Sequence, residues 1–230
     1  DGESMAGLTS EEAVSKLRGR EGSTVRLQIN RGGEMLDLKA TRAEVSEPTI
    51  TGEVLDGHIG YLDLNSFGED TPKEFETTVK KLEGEKVDSW IVDLRDNGGG
   101  YLSSALDLAG YFIGGDTAVR FKNRSGEWNP YEAIKHDFTL GPKIIVLINE
   151  NSASASEILT AAVKDYGKAV IVGTASYGKG SVQSMFPLDN GGVLKMTVDH
   201  FYSPLGKEID KVGVSPDVLI QQADSLKAAE

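Results

Sequence analysis

Three short segments carry residues whose types and spacing could do chemistry. In Asn149-Glu150-Asn151-Ser152-Ala153-Ser154-Ala155-Ser156-Glu157, serine alternates with alanine, which puts small hydroxyl side chains where a helix would start. The positive end of a helix dipole stabilises a developing oxyanion. The same residues support a bland reading, because Ser154 and Glu157 have capping-box spacing and a serine N-cap needs no catalysis. Asp93-Leu94-Arg95-Asp96-Asn97-Gly98-Gly99-Gly100 ends in a glycine run. Such a run lets backbone approach a ligand closely and leaves N–H groups to face negative charge, although it also suits a flexible turn. Gly173-Thr174-Ala175-Ser176-Tyr177-Gly178-Lys179-Gly180 comes close to the phosphate-binding pattern G-x-x-x-x-G-K-[ST]. Gly180 stands where a magnesium-binding hydroxyl is needed, and the following residues alternate like a strand. The segment therefore argues against nucleotide binding.

Nucleophilic catalysis has to be assembled from what is present. The chain has no cysteine, so no thiol can attack, no disulfide forms and no cysteine-based metal site exists. His58, His136 and His200 are scattered without ligand spacing, and no G-x-S-x-G elbow accompanies them. Each histidine reads as a surface residue. Lys179, between two glycines, is the better base, since a serine paired with a neutral lysine is an alternative to Ser-His-Asp. Bringing a lysine amine from ~10.4 to near neutrality costs about 4–5 kcal/mol, which demands burial away from carboxylates.

The elements that must hold these segments follow from hydrophobic periodicity. Thr9 and Glu12 in capping-box spacing, with Val14 and Leu17, predict a short amphipathic helix ending near Gly19. Val25, Leu27 and Ile29, then Leu36, Leu38 and Ala40, alternate about the turn Arg31-Gly32-Gly33-Glu34 and predict a hairpin. At about 45 residues this piece lies near the ~40-residue floor for unaided folding, so it lacks a part or leans on the rest. A second domain begins after Glu47-Pro48. It opens with two strands (50 to 55 and 59 to 64), for which Asp56-Gly57 supplies the positive φ angles of the turn. Thr71-Pro72 starts a helix with Phe75, Val79 and Leu82 on one face. Strand 90–94, helix 101–112, strand 143–149, helix 156–166 and strand 169–172 then alternate, which predicts an α/β domain with strands buried on both faces. Residues 182–202 predict a closing antiparallel hairpin about Asp189-Asn190-Gly191-Gly192, and the tail after Pro216 a strand stub and an Ala-rich helix. Each chemistry-bearing segment thus follows a strand, where α/β domains put their sites.

The 230 residues are 39% hydrophobic, enough for one large domain or a domain with an appendage. A formal charge of −12 argues against nucleic acid and anionic membranes as partners. The longest purely apolar run, Ile144 to Ile148, falls far short of the ~18 residues of a membrane span, so the chain reads as soluble. It begins at Asp1 with no initiator methionine, basic n-region or apolar h-region, and reads as a mature or truncated chain.

Together the three motifs, in this order, resemble the carboxyl-terminal processing peptidases, or tail-specific proteases. The likeness covers nearly the whole chain. It implies an α/β protease core related to the ClpP/crotonase fold over residues 47–230 and the C-terminal half of a PDZ-like domain over residues 1–46. It also implies that Ser154 attacks the scissile carbonyl, that Lys179, 25 positions on, takes its proton as general base, and that Gln183 steadies the lysine amine. Amides of Ala155 and of Gly98 or Gly99 would form the oxyanion hole. Ser152 and Ser156 are rival nucleophiles, and only the 25-residue spacing favours Ser154. The carboxylate-binding loop and first strands of the PDZ domain would precede Asp1. Tyr202-Ser203-Pro204-Leu205-Gly206 and Gly213-Val214-Ser215-Pro216-Asp217 match the family's closing motifs.

The resemblance implies a serine endopeptidase acting in or near the C-terminal region of unfolded or tail-exposed proteins, with no metal, nucleotide or other cofactor. Its partners would be protein or peptide substrates, a homo-oligomer being compatible. Its place would be extracytoplasmic: a bacterial periplasm or cell envelope, or an equivalent such as the thylakoid lumen. The alternative is a non-catalytic peptide-binding or scaffolding protein of the same fold.

Overall fold

The structure is a computed structural model that describes residues 2–43, 48–141, 143–188 and 191–221. The chain divides into two compact units, Asp1–Glu47 and Pro48–Glu230.

In the first unit, helix α1 (Ser10–Leu17) starts at the capping box the sequence predicts: the Thr9 N–H donates to Glu12 Oε2 at 2.8 Å and the Glu12 N–H to Thr9 Oγ1 at 3.3 Å. Strands β1 (Thr24–Arg31) and β2 (Glu34–Thr41) pair antiparallel, with Arg31 opposite Glu34. Gly32 and Gly33 alone form the loop, at φ +60° and +93°, the left-handed values a two-residue hairpin turn requires.

The second unit is built on a six-stranded sheet. Strand β3 (Ile50–Leu55) pairs antiparallel with β4 (Ile59–Leu64). Their turn takes its positive φ angles at Gly57 and His58 rather than at Asp56 and Gly57, because the loop has three residues. Helix α2 (Thr71–Glu83) leads to β5 (Ser89–Asp93), and helix α3 (Leu102–Ile113) follows it. Strands β6 (Thr117–Lys122) and β7 (Trp128–Glu132) come before β8 (Ile144–Ile148). Helix α4 (Ala155–Asp165), β9 (Val170–Gly173), β10 (Ser181–Pro187), β11 (Val193–Tyr202) and β12 (Val218–Leu219) complete the described chain.

The sheet order is β12-β9-β8-β5-β4-β3, all neighbours parallel except β3 with β4. Since β5, β8 and β9 are adjacent and parallel, the loops that leave their carboxyl ends emerge side by side. Those loops are the three segments singled out above.

One face of the sheet is buried, with Leu62, Val92, Val146 and Ile171 all inaccessible. Phe75, Val79 and Leu82 of α2 are buried as the periodicity predicts, each side chain contributing about 1.5–3 kcal/mol. The expectation of strands buried on both faces fails: burial alternates along β5 and β8, and Ile145 is 37% exposed.

The hairpin β10–β11 does not close the main sheet. It joins β6 and β7 in a separate antiparallel sheet of order β10-β11-β6-β7. Strand β7 gives no periodic signal because it is exposed throughout, with Pro130 tolerated on an edge strand. The strand stub after Pro216 is β12, whereas the Ala-rich tail and the turn residues Asp189 and Asn190 lie outside the described residues. Among the described residues, no helix is long and apolar enough to cross a membrane.

Candidate active site

The loop after β8 turns into α4 through a strained residue. Ser154 has φ +58° and ψ −112°, a conformation that non-glycine residues rarely adopt and that recurs where a side chain must be held out at a functional site. The geometry is that of a nucleophile elbow without its glycines: Ser152 and Ser156, two positions either side, are small and fully buried. This burial also separates the rivals. Ser152 Oγ donates to Leu94 O at 2.7 Å and accepts from the Asn149 N–H at 3.0 Å, and Ser156 Oγ donates to Asn97 O at 2.9 Å. Both hydroxyls are taken up by backbone groups, whereas Ser154 lines a cavity of about 340 Å³ whose lining includes neither of the other two.

The glycine loop after β5 lies against this elbow. A Cβ on Gly99, at φ +101°, would sit 2.8 Å from Ser154 Cβ and 2.7 Å from Ala153 O. One on Gly100 would sit 2.2 Å from Phe67 O, so both positions exclude any side chain. Buried Asn97 fixes the loop, donating to Leu64 O at 2.5 Å and accepting from the Gly99 N–H at 2.9 Å. Its carbonyl accepts the Ala153 N–H at 3.0 Å, which stitches the two loops together.

Of the residues expected to form an oxyanion hole, Ala155, Gly98 and Gly99, one is in the cavity lining. Ala155, the first residue of α4, lines the cavity beside Ser154. The Gly99 N–H is turned to Asn97, and Gly100, not Gly98 or Gly99, lines the cavity. Neither bond that joins Gly100's neighbours to Phe67 uses the Gly100 N–H. Sequence reasoning passed over Gly100, although it is the glycine nearest the following helix.

The loop after β9 brings Lys179. Its flanking glycines serve close backbone packing: a Cβ on Gly180 would lie 2.3 Å from Asp210 N, and one on Gly178 3.0 Å from Val212 N. The Lys211 N–H donates to Gly178 O at 2.7 Å and the Phe201 N–H to Gly180 O at 2.8 Å. Strand β10 starts directly after Gly180, where a phosphate-binding loop would begin a helix. Lys179 and Gln183 line the same cavity as Ser154, so all three come together. The burial expected of a lysine base is absent: Lys179 is exposed, as is Gln183, and no hydrogen bond joins Lys179 Nζ to Ser154 Oγ among the described residues.

A residue read only as a cap proves central. Glu157 is fully buried and accepts four hydrogen bonds: from the Ser154 N–H at 2.8 Å, the Lys179 N–H at 2.9 Å, the Gly178 N–H at 2.6 Å and Ser176 Oγ at 2.6 Å. The capping-box spacing found it, but nothing local says that the same carboxylate also reaches the loop after β9.

The histidines stand apart. None lines the cavity; His136 is mostly buried, stacked on Tyr111 at 3.7 Å between ring centroids with Nε2 2.9 Å from Asp107 Oδ1, and His200 Nδ1 lies 3.6 Å from Asp210 Oδ2. Beside the glycine loop, Tyr61 donates to Asp93 Oδ2 at 2.7 Å, and Arg95 pairs with the same carboxylate at 2.6 Å. Burial and the neighbouring Asp93 push the Tyr61 phenol up to about 12.

A strained serine at a helix N-terminus, with amides and a lysine around one cavity at the carboxyl ends of parallel strands, has the parts of an acyl-transfer site on an α/β scaffold. The chain belongs to peptidase family S41, whose model matches residues 58–220. It is 37% identical over 229 residues to a carboxy-terminal-processing protease of Bartonella bacilliformis, covering 96% of this chain and 52% of that protein. It is 34% identical to the carboxy-terminal processing protease CtpB of Bacillus subtilis, covering 99% and 48%. It is 36% identical to the chloroplastic carboxyl-terminal-processing peptidase 3 of Arabidopsis thaliana, covering 95% and 45%. The chain thus spans about half the length of these relatives. Among solved structures it resembles a photosystem II D1 C-terminal processing protease, with TM-score 0.70 and 28% identity over 93% of this chain and 60% of that one.

Proposed function

We propose that this chain is a serine endopeptidase that hydrolyses peptide bonds in or near the C-terminal region of unfolded or tail-exposed proteins. The observation that carries the reading is the strained backbone of Ser154, which holds one serine of three into a cavity shared with Lys179, Gln183, Ala155 and Gly100. Ser154 Oγ attacks the scissile carbonyl carbon as its proton passes to a neutral Lys179 amine, and Gln183 steadies that amine. The carbonyl electron pair moves onto oxygen, where N–H groups of Ala155 and Gly100 donate to it. Collapse of this intermediate breaks the C–N bond, and the lysine returns its proton to the leaving amine. Water then releases the acyl group by the same route. Gly98 and Gly99 shape the hole, with Gly99 giving its N–H to Asn97.

Residues 1–46, on this reading, are the C-terminal half of a PDZ-like domain, and the protein acts outside the cytoplasm, in keeping with relatives named as chloroplastic. One observation favours the second reading, a non-catalytic peptide-binding or scaffolding protein: Lys179 is exposed and unbonded to Ser154. Incubating an unstructured protein with this chain and with its Ser154→Ala variant, and reading products by mass spectrometry, separates the two. Cleavage by the parent alone is expected. Equal cleavage by both would reassign the nucleophile, and cleavage by neither would favour the binding protein.

A further inference from the structure

The cavity at Ser154 has two charged residues in its lining, Lys179 and Lys195, and no carboxylate. That is the reverse of the chain as a whole, where 36 acidic residues outnumber 24 basic ones. Lys195 lies on β11 directly opposite Met185 of β10, two residues along from the pair Gln183 and Thr197. Side chains two apart on a strand share a face, so Lys195 stands on the same wall as Gln183. It is exposed, and among the described residues it pairs with no acid, unlike Lys164 and Lys207, which pair with Asp217 and Asp165. Apart from Ser154, Ser181 and Gln183 the remaining side chains of the lining are apolar, among them Leu102, Phe121, Ile158 and Phe201.

An apolar surface with a fixed cation on one wall fits an apolar side chain followed at set spacing by a carboxylate. Lys179 is not the cation for that role, because a carboxylate resting on it would favour its ammonium form and silence it as a base. Building on the peptidase reading, we propose that Lys195 is a specificity residue that reads a substrate carboxylate close to the bond Ser154 attacks. At about 3.4 Å per residue, Lys195 is roughly 7 Å along the strand from Gln183, which corresponds to about two residues of an extended substrate. The carboxylate is that of an Asp or Glu side chain or of a free C-terminus.

The test is a set of peptides with one apolar residue at the cleaved bond and a single Asp moved through the three positions on either side. Each is compared with its Asn counterpart, and a second set carries a free or an amidated C-terminus at the same distances. With the parent chain, kcat/KM is expected to favour the acid about 5-fold at one or two positions, the gain of a solvent-accessible ion pair, and to lose that preference as salt rises. Preference in the first set alone assigns the carboxylate to a side chain, and in the second alone to a chain end. Lys195→Gln is expected to abolish the preference and Lys195→Glu to invert it. An unchanged preference in Lys195→Glu, or none in the parent, overturns the proposal. Binding of the same peptides to the Ser154→Ala chain, read by fluorescence anisotropy, gives the same comparison without turnover. A parent that cleaves nothing would therefore sink the peptidase reading while still deciding the role of Lys195.

Discussion

The backbone N–H of Lys179 donates to Glu157 Oε2 at 2.9 Å, and that oxygen also accepts the N–H of Ser154 at 2.8 Å. One buried carboxylate atom thereby fixes the distance between the loops that carry Ser154 and Lys179. The other oxygen takes the Gly178 N–H and the Ser176 hydroxyl. Glu157→Gln keeps the size but turns an NH₂ toward two of these donors, and a buried donor left unpaired costs about 1–3 kcal/mol. The variant is expected to unfold at lower temperature, by roughly 2–4 °C per kcal/mol for a chain of this length, and to lose hydrolytic rate. A parent-like melting midpoint and kcat would refute the tether.

The glycine loop gives a sharper steric test. Alanine at Gly99 would place its methyl 2.8 Å from Ser154 Cβ at a φ of +101°, whereas at Gly98 it meets nothing within 4 Å. Gly99→Ala is expected to displace the elbow and abolish measurable hydrolysis, while Gly98→Ala keeps both its N–H and parent-like stability. The pair is compared by thermal unfolding and peptide turnover, and equal behaviour would mean that the loop yields to the methyl group.

If Lys179 is the base, Lys179→Arg must fail, because a guanidinium stays protonated at any working pH. Losing a general base typically costs about 10²–10⁴ in rate. The exposed position of Lys179 makes the substitution sterically mild, so folding should survive and the loss should appear in kcat. Retained turnover would remove Lys179 from the mechanism.

The parallel order of β5, β8 and β9 could be anticipated because strand-helix alternation is a local pattern, and with it the convergence of the three loops. The roles of Ser152 and Ser156 could not, since burial of a hydroxyl depends on contacts with Leu94 and Asn97, more than fifty residues away. Which glycine of the run lines the cavity is hidden for a similar reason, since it depends on how Asn97 holds the N–H of Gly99. Strand β7 escaped because an exposed edge strand has no apolar alternation to read. The burial that a neutral lysine requires has no signature in sequence, and the structure leaves the Lys179 side chain exposed.

Asp165 closes the far end of α4, the helix that begins after Ser154, and is the basis of an acid-stability prediction. Although burial alone pushes its carboxyl up, Lys207 at 2.7 Å, the Ser203 hydroxyl and the Leu205 N–H together hold it below the usual carboxylate range. A carboxylate with a lowered folded-state value stabilises the fold above its unfolded value of about 3.9, and that contribution is lost as pH falls through the folded value. Asp165→Asn is therefore expected to melt below the parent at neutral pH, by an amount of order 1–3 kcal/mol for a hydrogen-bonded buried charge. The gap should close as the pH drops below about 4. Thermal unfolding of both chains from neutral pH into acid reads this directly, and a gap that persists unchanged at the acid end would mean that Asp165 contributes by shape rather than by charge.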